Sequence, residues 1–209
     1  VPVGIVVAEK RTGKKVVYKT TPRPWIRDYL RAGGKLFCDS GAFTMFDTKS
    51  GKPIGVLDFA KVFDYYRELM RYAKTPGQLT LVMPDSIGQQ DVTLALWKKS
   101  HQQIREFYQA GTDAIIPLQA GQLTFSQMYE IAKEVAGMRN PGVALPMKAG
   151  TKDETVLNFV KESRPTRIHL LGMGLKKRTI NLCMSILAIM PHCEITADAV
   201  ESTTDYGGK

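Results

Sequence analysis

A short apolar run that ends in a polar residue or a glycine, followed by an amphipathic stretch, recurs from Leu36 to Asp198. That recurrence limits the possible folds more than any other feature. Leu36-Phe37-Cys38 stops at Asp39-Ser40, Leu79 to Pro84 at Asp85-Ser86, and Ala114 to Leu118 at Gln119. Gly142 to Met147 runs into Lys148, Arg167 to Leu171 into Gly172, and Glu194 to Ala197 into Asp198. Such runs read as parallel strands covered on both faces. The stretches between them carry apolar residues at helical spacing. From Asp58 to Tyr72, for example, Phe59, Val62, Phe63, Tyr66, Leu69 and Met70 fall on one side. Helices are also predicted from Gln89 to Ala110, Thr124 to Ala136, Thr151 to Glu162 and Lys176 to Met190. Thr124 with Gln127 and Thr151 with Glu154 have the spacing of capping boxes. Upstream, Val3 to Ala8 predicts a first strand and Val16 to Lys19 the return arm of a hairpin. Thr20 to Leu30 then predicts a helix stopped by Gly33-Gly34, and the polar stretch from Met45 to Pro53 reads as a mobile loop.

Strands alternating with helices give right-handed βαβ units and a parallel sheet. The main series counts seven strands. The expectation is an α/β, TIM-barrel-like (β/α)8 fold in shortened or incomplete form, because complete barrels run to about 250 residues. A doubly wound open sheet is the alternative. No G-x-G-x-x-G run opens a helix after the first strand, which argues against a dinucleotide fold. The 209 residues are read as one domain, 1–209, long enough for a substantial core.

Three cysteines, Cys38, Cys183 and Cys193, show neither a disulfide framework nor a C-x-x-C zinc spacing, and read as reduced intracellular thiols. The histidines His101, His169 and His192 lack ligand spacing, so no metal site and no cofactor are expected; His169, inside a strand, reads as a core histidine. No apolar run approaches the roughly 18 residues of a membrane span, and the N-terminus reads as a strand, not a signal peptide. A cytoplasmic location without membrane contact is expected. Lys and Arg outnumber Asp and Glu by 29 to 20, a net charge of +9 that favours a polyanionic partner.

In a parallel barrel the working residues stand at the C-terminal ends of the strands. Those ends carry Asp39-Ser40, Asp85-Ser86, Gln119, Met147-Lys148, Leu171-Gly172 and Asp198. A buried carboxylate is costly unless something pairs with it or uses it, and several at strand ends point to one pocket. Acids and an amide suit the donor-rich edge of a guanine-like heterocycle, and Phe43 could offer a stacking face. Without a metal or a nucleophile elbow, carboxylates would have to serve as nucleophile and general acid/base. Lys49, Lys52, Lys176, Lys177 and Arg178 are the candidate phosphate contacts near the site, with Lys10, Arg11, Lys14 and Lys15 as a further basic group.

The run Phe37-Cys38-Asp39-Ser40-Gly41-Ala42-Phe43 resembles the Asp-Ser-Gly-Gly-Phe/Tyr motif of the tRNA-guanine transglycosylase superfamily. His169-Leu170-Leu171-Gly172-Met173-Gly174 is similar to that family's Leu-Met-Gly-Val-Gly segment, and Asp198 stands in order where its nucleophile lies. The resemblance implies a TIM barrel that exchanges guanine for a 7-deazaguanine in a nucleic acid. It implies Asp198 as the nucleophile at C1′ and Asp39 as general acid/base. Asp85 and Gln119 would grip the base edge beside Ser40 and Gly172, and Phe43 and Leu171 would cover its faces. Two departures stand out. The family's zinc-binding cluster after the nucleophile is absent from the eleven residues that follow Asp198, and its glycine-rich fifth-strand segment here reads Gly142-Val143-Ala144-Leu145-Pro146-Met147. A zinc-free version resembles the short deazapurine DNA-modifying transglycosylases of phages and bacteria. The implied partners are DNA, free guanine and a 7-deazaguanine such as 7-cyano-7-deazaguanine, with a homodimer or helper protein possible. The alternatives are a tRNA enzyme of the same chemistry, a non-catalytic nucleic-acid-binding subunit and a small-molecule barrel enzyme such as a phosphate-sugar lyase.

Overall fold

The computed structural model describes residues 3–10, 16–47, 49–147, 151–173 and 177–197. Seven parallel strands alternate with six helices: β1 (Val3–Val6), α1 (Pro24–Arg31), β2 (Leu36–Asp39), α2 (Phe59–Met70), β3 (Leu79–Val82), α3 (Gln90–Gln109), β4 (Asp113–Pro117), α4 (Phe125–Ala136), β5 (Gly142–Pro146), α5 (Asp153–Ser163), β6 (Arg167–Leu171), α6 (Lys177–Ile189) and β7 (Glu194–Ala197). The strands lie side by side in chain order, from β1 to β7. A doubly wound sheet would reverse its order at a switch point, so that alternative falls.

The sheet is curled. Four strand spacings separate β2 from β6, which in a flat sheet would hold them about 19 Å apart. Yet the ring of Phe37 on β2 lies 4.6 Å, centroid to centroid, from the imidazole of His169 on β6. Lower in the same lumen, Arg167 on β6 pairs with Asp113 on β4. It also donates to the Thr80 hydroxyl on β3 at 3.4 Å, and that hydroxyl donates to Asp113 at 3.0 Å. Contacts across an enclosed interior require curvature. The fold is therefore an α/β half-barrel. It is not the full (β/α)8, for no eighth strand pairs with either end strand among the described residues.

Registers assign the two faces. Phe37 pairs with Thr80, Thr80 with Asp113, and His169 with both Ala144 and Thr196, so these side chains face the lumen. The alternate residues Leu36, Cys38, Leu79, Leu81, Ile116, Val143, Leu145, Ile168 and Leu170 face the helices and are fully buried. At roughly 1.5–3 kcal/mol for each large apolar side chain, this layer supplies much of the driving force that packs the helices on the sheet.

Several sequence expectations change locally. The predicted mobile loop is instead a turn, Ala42–Met45, followed by an antiparallel ribbon that pairs Phe46–Asp47 with Lys52–Pro53. The Asp47 carboxylate closes the ribbon by accepting from the Lys49 N–H at 3.0 Å and the Ser50 hydroxyl at 2.7 Å. The capping box of Thr124 and Gln127 forms, but that of Thr151 does not. Its hydroxyl donates to the Pro146 carbonyl, tying the end of β5 to the start of α5. The expected hairpin forms, pairing Ala8–Lys10 with Val16–Tyr18.

Tyr66 sits on the apolar side of α2, as its spacing predicts, but its hydroxyl crosses to the sheet. It donates to the carbonyls of Val82 at 2.7 Å and Cys38 at 3.3 Å, joining the ends of β2 and β3. Burial, then the charges of Cys38, Asp39 and Asp85, hold this hydroxyl well above the usual phenol range, so it stays a donor. Tyr66→Phe leaves two buried carbonyls short of a partner and should cost about 1–3 kcal/mol in urea unfolding. A loss below about 0.5 kcal/mol would show that the two strand ends are held by other contacts.

Candidate functional site

The C-terminal ends of β2, β3 and β4 converge. Asp39 closes β2, and its Oδ1 accepts the Gly41 N–H at 2.8 Å. Gly41 has φ +86°, and a Cβ there would lie 2.2 Å from the Ala8 carbonyl oxygen, so the turn after Asp39 requires glycine. Ser40 is completely buried. Its hydroxyl accepts the Ala42 N–H at 3.2 Å and its carbonyl accepts the Ala8 N–H at 3.1 Å, so it shapes this turn.

Asp85 and Gln119 meet directly. The Gln119 amide nitrogen donates to Asp85 Oδ2 at 3.0 Å, while its amide oxygen accepts the Gly88 N–H at 3.0 Å. That pair of bonds fixes the amide orientation. Burial, and then the charge of Asp39, raise the Asp85 carboxyl from 3.8 to about 8. At neutral pH Asp85 carries a proton beside Asp39, giving the site a hydrogen-bond donor and a neighbouring acid with separate environments.

A rigid shell holds these ends. The Trp97 indole donates to the Pro84 carbonyl at 2.8 Å. Thr93 Oγ1 accepts the Ser86 N–H at 3.0 Å and donates to the Ser86 carbonyl at 3.2 Å. Gln90 donates to the carbonyls of Gln119 and Leu123 at 2.7 and 3.0 Å and accepts the Leu123 N–H at 2.7 Å. Sequence reasoning places Tyr66 on the apolar side of its helix but foresees the clamping role of none of the four, Tyr66, Gln90, Thr93 and Trp97. The available signal was that an indole, a phenol or an amide on an apolar helix side needs a buried partner.

The remaining candidates distribute as follows. Phe43 is half exposed on the turn after β2, with its ring 6.0 Å from Phe46 in a stacked arrangement. Leu171 ends β6 half-buried, its carbonyl accepting the Met147 N–H at 3.1 Å, and Gly172 follows with φ +75°. Lys49 and Lys52 are exposed on the ribbon beyond Phe43. Lys177 is exposed at the start of α6, where Arg178 pairs with Asp153 at 2.7 Å and donates to the Thr151 carbonyl at 2.9 Å. Asp198 and Lys176, like Arg11, Lys14 and Lys15, lie outside the described residues.

At the opposite, N-terminal end of the sheet a cavity of about 420 Å³ opens among Tyr108, Asp113, Asn140, Arg167, His192 and Glu194. Parallel barrels place their chemistry at the other end, and the converging Asp39, Asp85 and Gln119 stand there. Among the described residues no group of three or more His, Cys, Asp or Glu is arranged to hold a metal ion. No helix among them is long and apolar enough to cross a membrane. Neither a family model nor a curated protein matches the chain.

The protonated Asp85 makes stability depend on pH. Its folded value, about 8, lies above its ordinary 3.8, so the native state binds the proton more tightly than the unfolded chain. Native stability is then highest below the ordinary value and declines as pH rises towards 8. Asp85→Asn resembles the protonated acid and cannot ionise, so its melting temperature should exceed that of the unaltered protein at about pH 9 and lose this slope. Parallel pH profiles for the two proteins would show that Asp85 is not the group responsible.

Proposed function

We propose that the chain is a shortened TIM-type barrel that exchanges guanine in DNA for a 7-deazaguanine such as 7-cyano-7-deazaguanine. The observation that carries this reading is the buried Asp85–Gln119 pair beside Asp39 at the strand ends. A neutral carboxylic acid and an oriented amide recognise the polar edge of a purine. The adjacent Asp39 can move a proton at the base nitrogen bonded to the sugar. The motif from Phe37 to Phe43, with its resemblance to the transglycosylase superfamily, supports the same assignment.

The reaction balances with carboxylates alone. Asp198 attacks C1′ as the bond from C1′ to the base nitrogen breaks, and the bonding pair leaves with the guanine. Asp39, taking up a proton as the nucleotide binds, gives that proton to the leaving nitrogen. The anionic Asp39 then removes the equivalent proton from the incoming deazaguanine, whose nitrogen attacks C1′ and releases Asp198. The negative charge of Asp198 stabilises the oxocarbenium character that develops at C1′. The target nucleotide must swing out of its stack to reach the pocket. Phe43, half exposed, offers it an aromatic face, and the exposed Lys49, Lys52 and Lys177 are the groups that would meet its phosphates. DNA is preferred to tRNA because the resemblance is to the short DNA-modifying members.

Labelled guanine incubated with the protein and duplex DNA or tRNA tests this reading. Label should enter DNA, and Asp198→Ala should lower incorporation by at least about 10³-fold and abolish any denaturation-resistant DNA adduct. Incorporation into tRNA alone would reverse the choice of substrate. Exchange that survives Asp198→Ala would remove Asp198 from the mechanism.

A further inference from the structure

His169 is almost fully buried, yet its contacts reach two distant strands. Its Nδ1 lies 2.8 Å from Thr196 Oγ1 on β7, and its ring lies 4.6 Å from that of Phe37 on β2, at 31° between planes. Phe37 precedes Asp39 by two residues, and Thr196 precedes Asp198 by two residues. A strand repeats its side-chain direction every two residues, so Phe37 lies immediately beneath Asp39 on the lumen face of β2. Leu171, two residues beyond His169 itself, is the candidate cover for the base. One imidazole thus touches the side chain that supports Asp39 and the side chain two residues before the proposed nucleophile.

An apolar residue would pack on Phe37 equally well. A polar ring in this interior is costly unless it is hydrogen-bonded, and what it gains by bonding is a fixed direction and distance. The need for such a spacer is greater here than in a complete barrel. A closed ring of strands sets its own diameter by register, whereas this sheet has two ends that hydrogen bonding does not join in the described residues. The distance across the lumen therefore depends on what fills it.

We propose that His169 is a positioning residue that sets the separation between the C-terminal ends of β2 and β7. This inference rests on the transglycosylase reading for its consequence in catalysis, though not for the coupling itself. His169 touches neither substrate nor reacting atoms. It acts through Phe37 and Thr196, and its loss displaces the end of β2, with Asp39, relative to the end of β7. A misplacement of about 1 Å at a reacting centre costs on the order of 10²-fold in rate.

Two substitutions break the same bond from opposite sides. His169→Phe keeps a ring against Phe37 but loses the link to Thr196, and Thr196→Val removes the hydroxyl at nearly constant shape. Each should lower kcat for guanine exchange by about 10–100-fold while leaving KM for the free base within about twofold. The double variant should be no slower than the slower single one, because both remove one interaction. His169→Asn, which can present an amide near the Nδ1 position, should recover part of kcat. Exchange at the unaltered rate in His169→Phe overturns the proposal. So does a loss of kcat that follows a fall in melting temperature and is not relieved by His169→Asn. A second measurement is independent of activity: the carboxyl ¹³C resonance of Asp39 should shift in both His169→Phe and Thr196→Val. If it shifts in a protein that exchanges no base, the coupling stands and the transglycosylase reading fails. An unmoved resonance removes the coupling whatever the exchange assay gives.

Discussion

Two carboxyl groups brought close together inside a protein cannot both remain ionised at neutral pH without a compensating charge. Asp85, buried and close enough to Asp39 to respond to its charge, keeps its proton to about pH 8. The rest of the structure can be understood as what brings these two acids to one place and holds them there. Parallel strands bring their C-terminal ends to one side, sequential order makes β2 and β3 neighbours, and the curl turns both ends towards a common centre. A flat sheet would still leave these two neighbours adjacent, but would hold the ends of β2 and β6 about 19 Å apart.

The clamps behind the strand ends explain how a costly arrangement persists. Tyr66, Trp97, Thr93 and Gln90 each come from a helix, and each satisfies backbone groups just where the strands stop pairing. The end of a strand leaves carbonyl and amide groups without ladder partners, and buried ones must find others. By using helix side chains for this, the fold fixes both the strand ends and the helices packed on them. Inside the lumen, the network of Arg167, Asp113 and Thr80 at one level and the contacts of His169 above it do the same for the curvature. Burial lowers the Arg167 guanidinium, and its acid partners Glu194 and Asp113 keep it charged.

Much of this was legible in the sequence, and for a simple reason. The alternation of apolar runs with amphipathic segments has only a few physical solutions, and Asp39, Asp85 and Gln119 could be grouped because a curled parallel sheet gathers strand ends. Contacts that depend on curvature were not legible. His169 read as a core histidine, since nothing in a strand pattern tells that residues on β2 and β6 will meet across a lumen. The segment around Asp47 read as a loop because its closure depends on one carboxylate reaching back to Lys49 and Ser50. Thr151 had the spacing of a cap, but the chain places its hydroxyl against the end of β5 instead. In each case a polar side chain chose between local and distant partners, and periodicity carries no information about that choice.

We propose that this half-barrel builds a base-exchange pocket from strand-end acids and uses it on DNA. Mass spectrometry of nucleosides from DNA of cells that make the protein together with a source of 7-cyano-7-deazaguanine tests it most directly. A 7-deazaguanine deoxynucleoside is expected in that DNA, absent when Asp39 or Asp198 is replaced by Ala. Unmodified DNA in cells shown to hold both the folded protein and the free deazaguanine would contradict it.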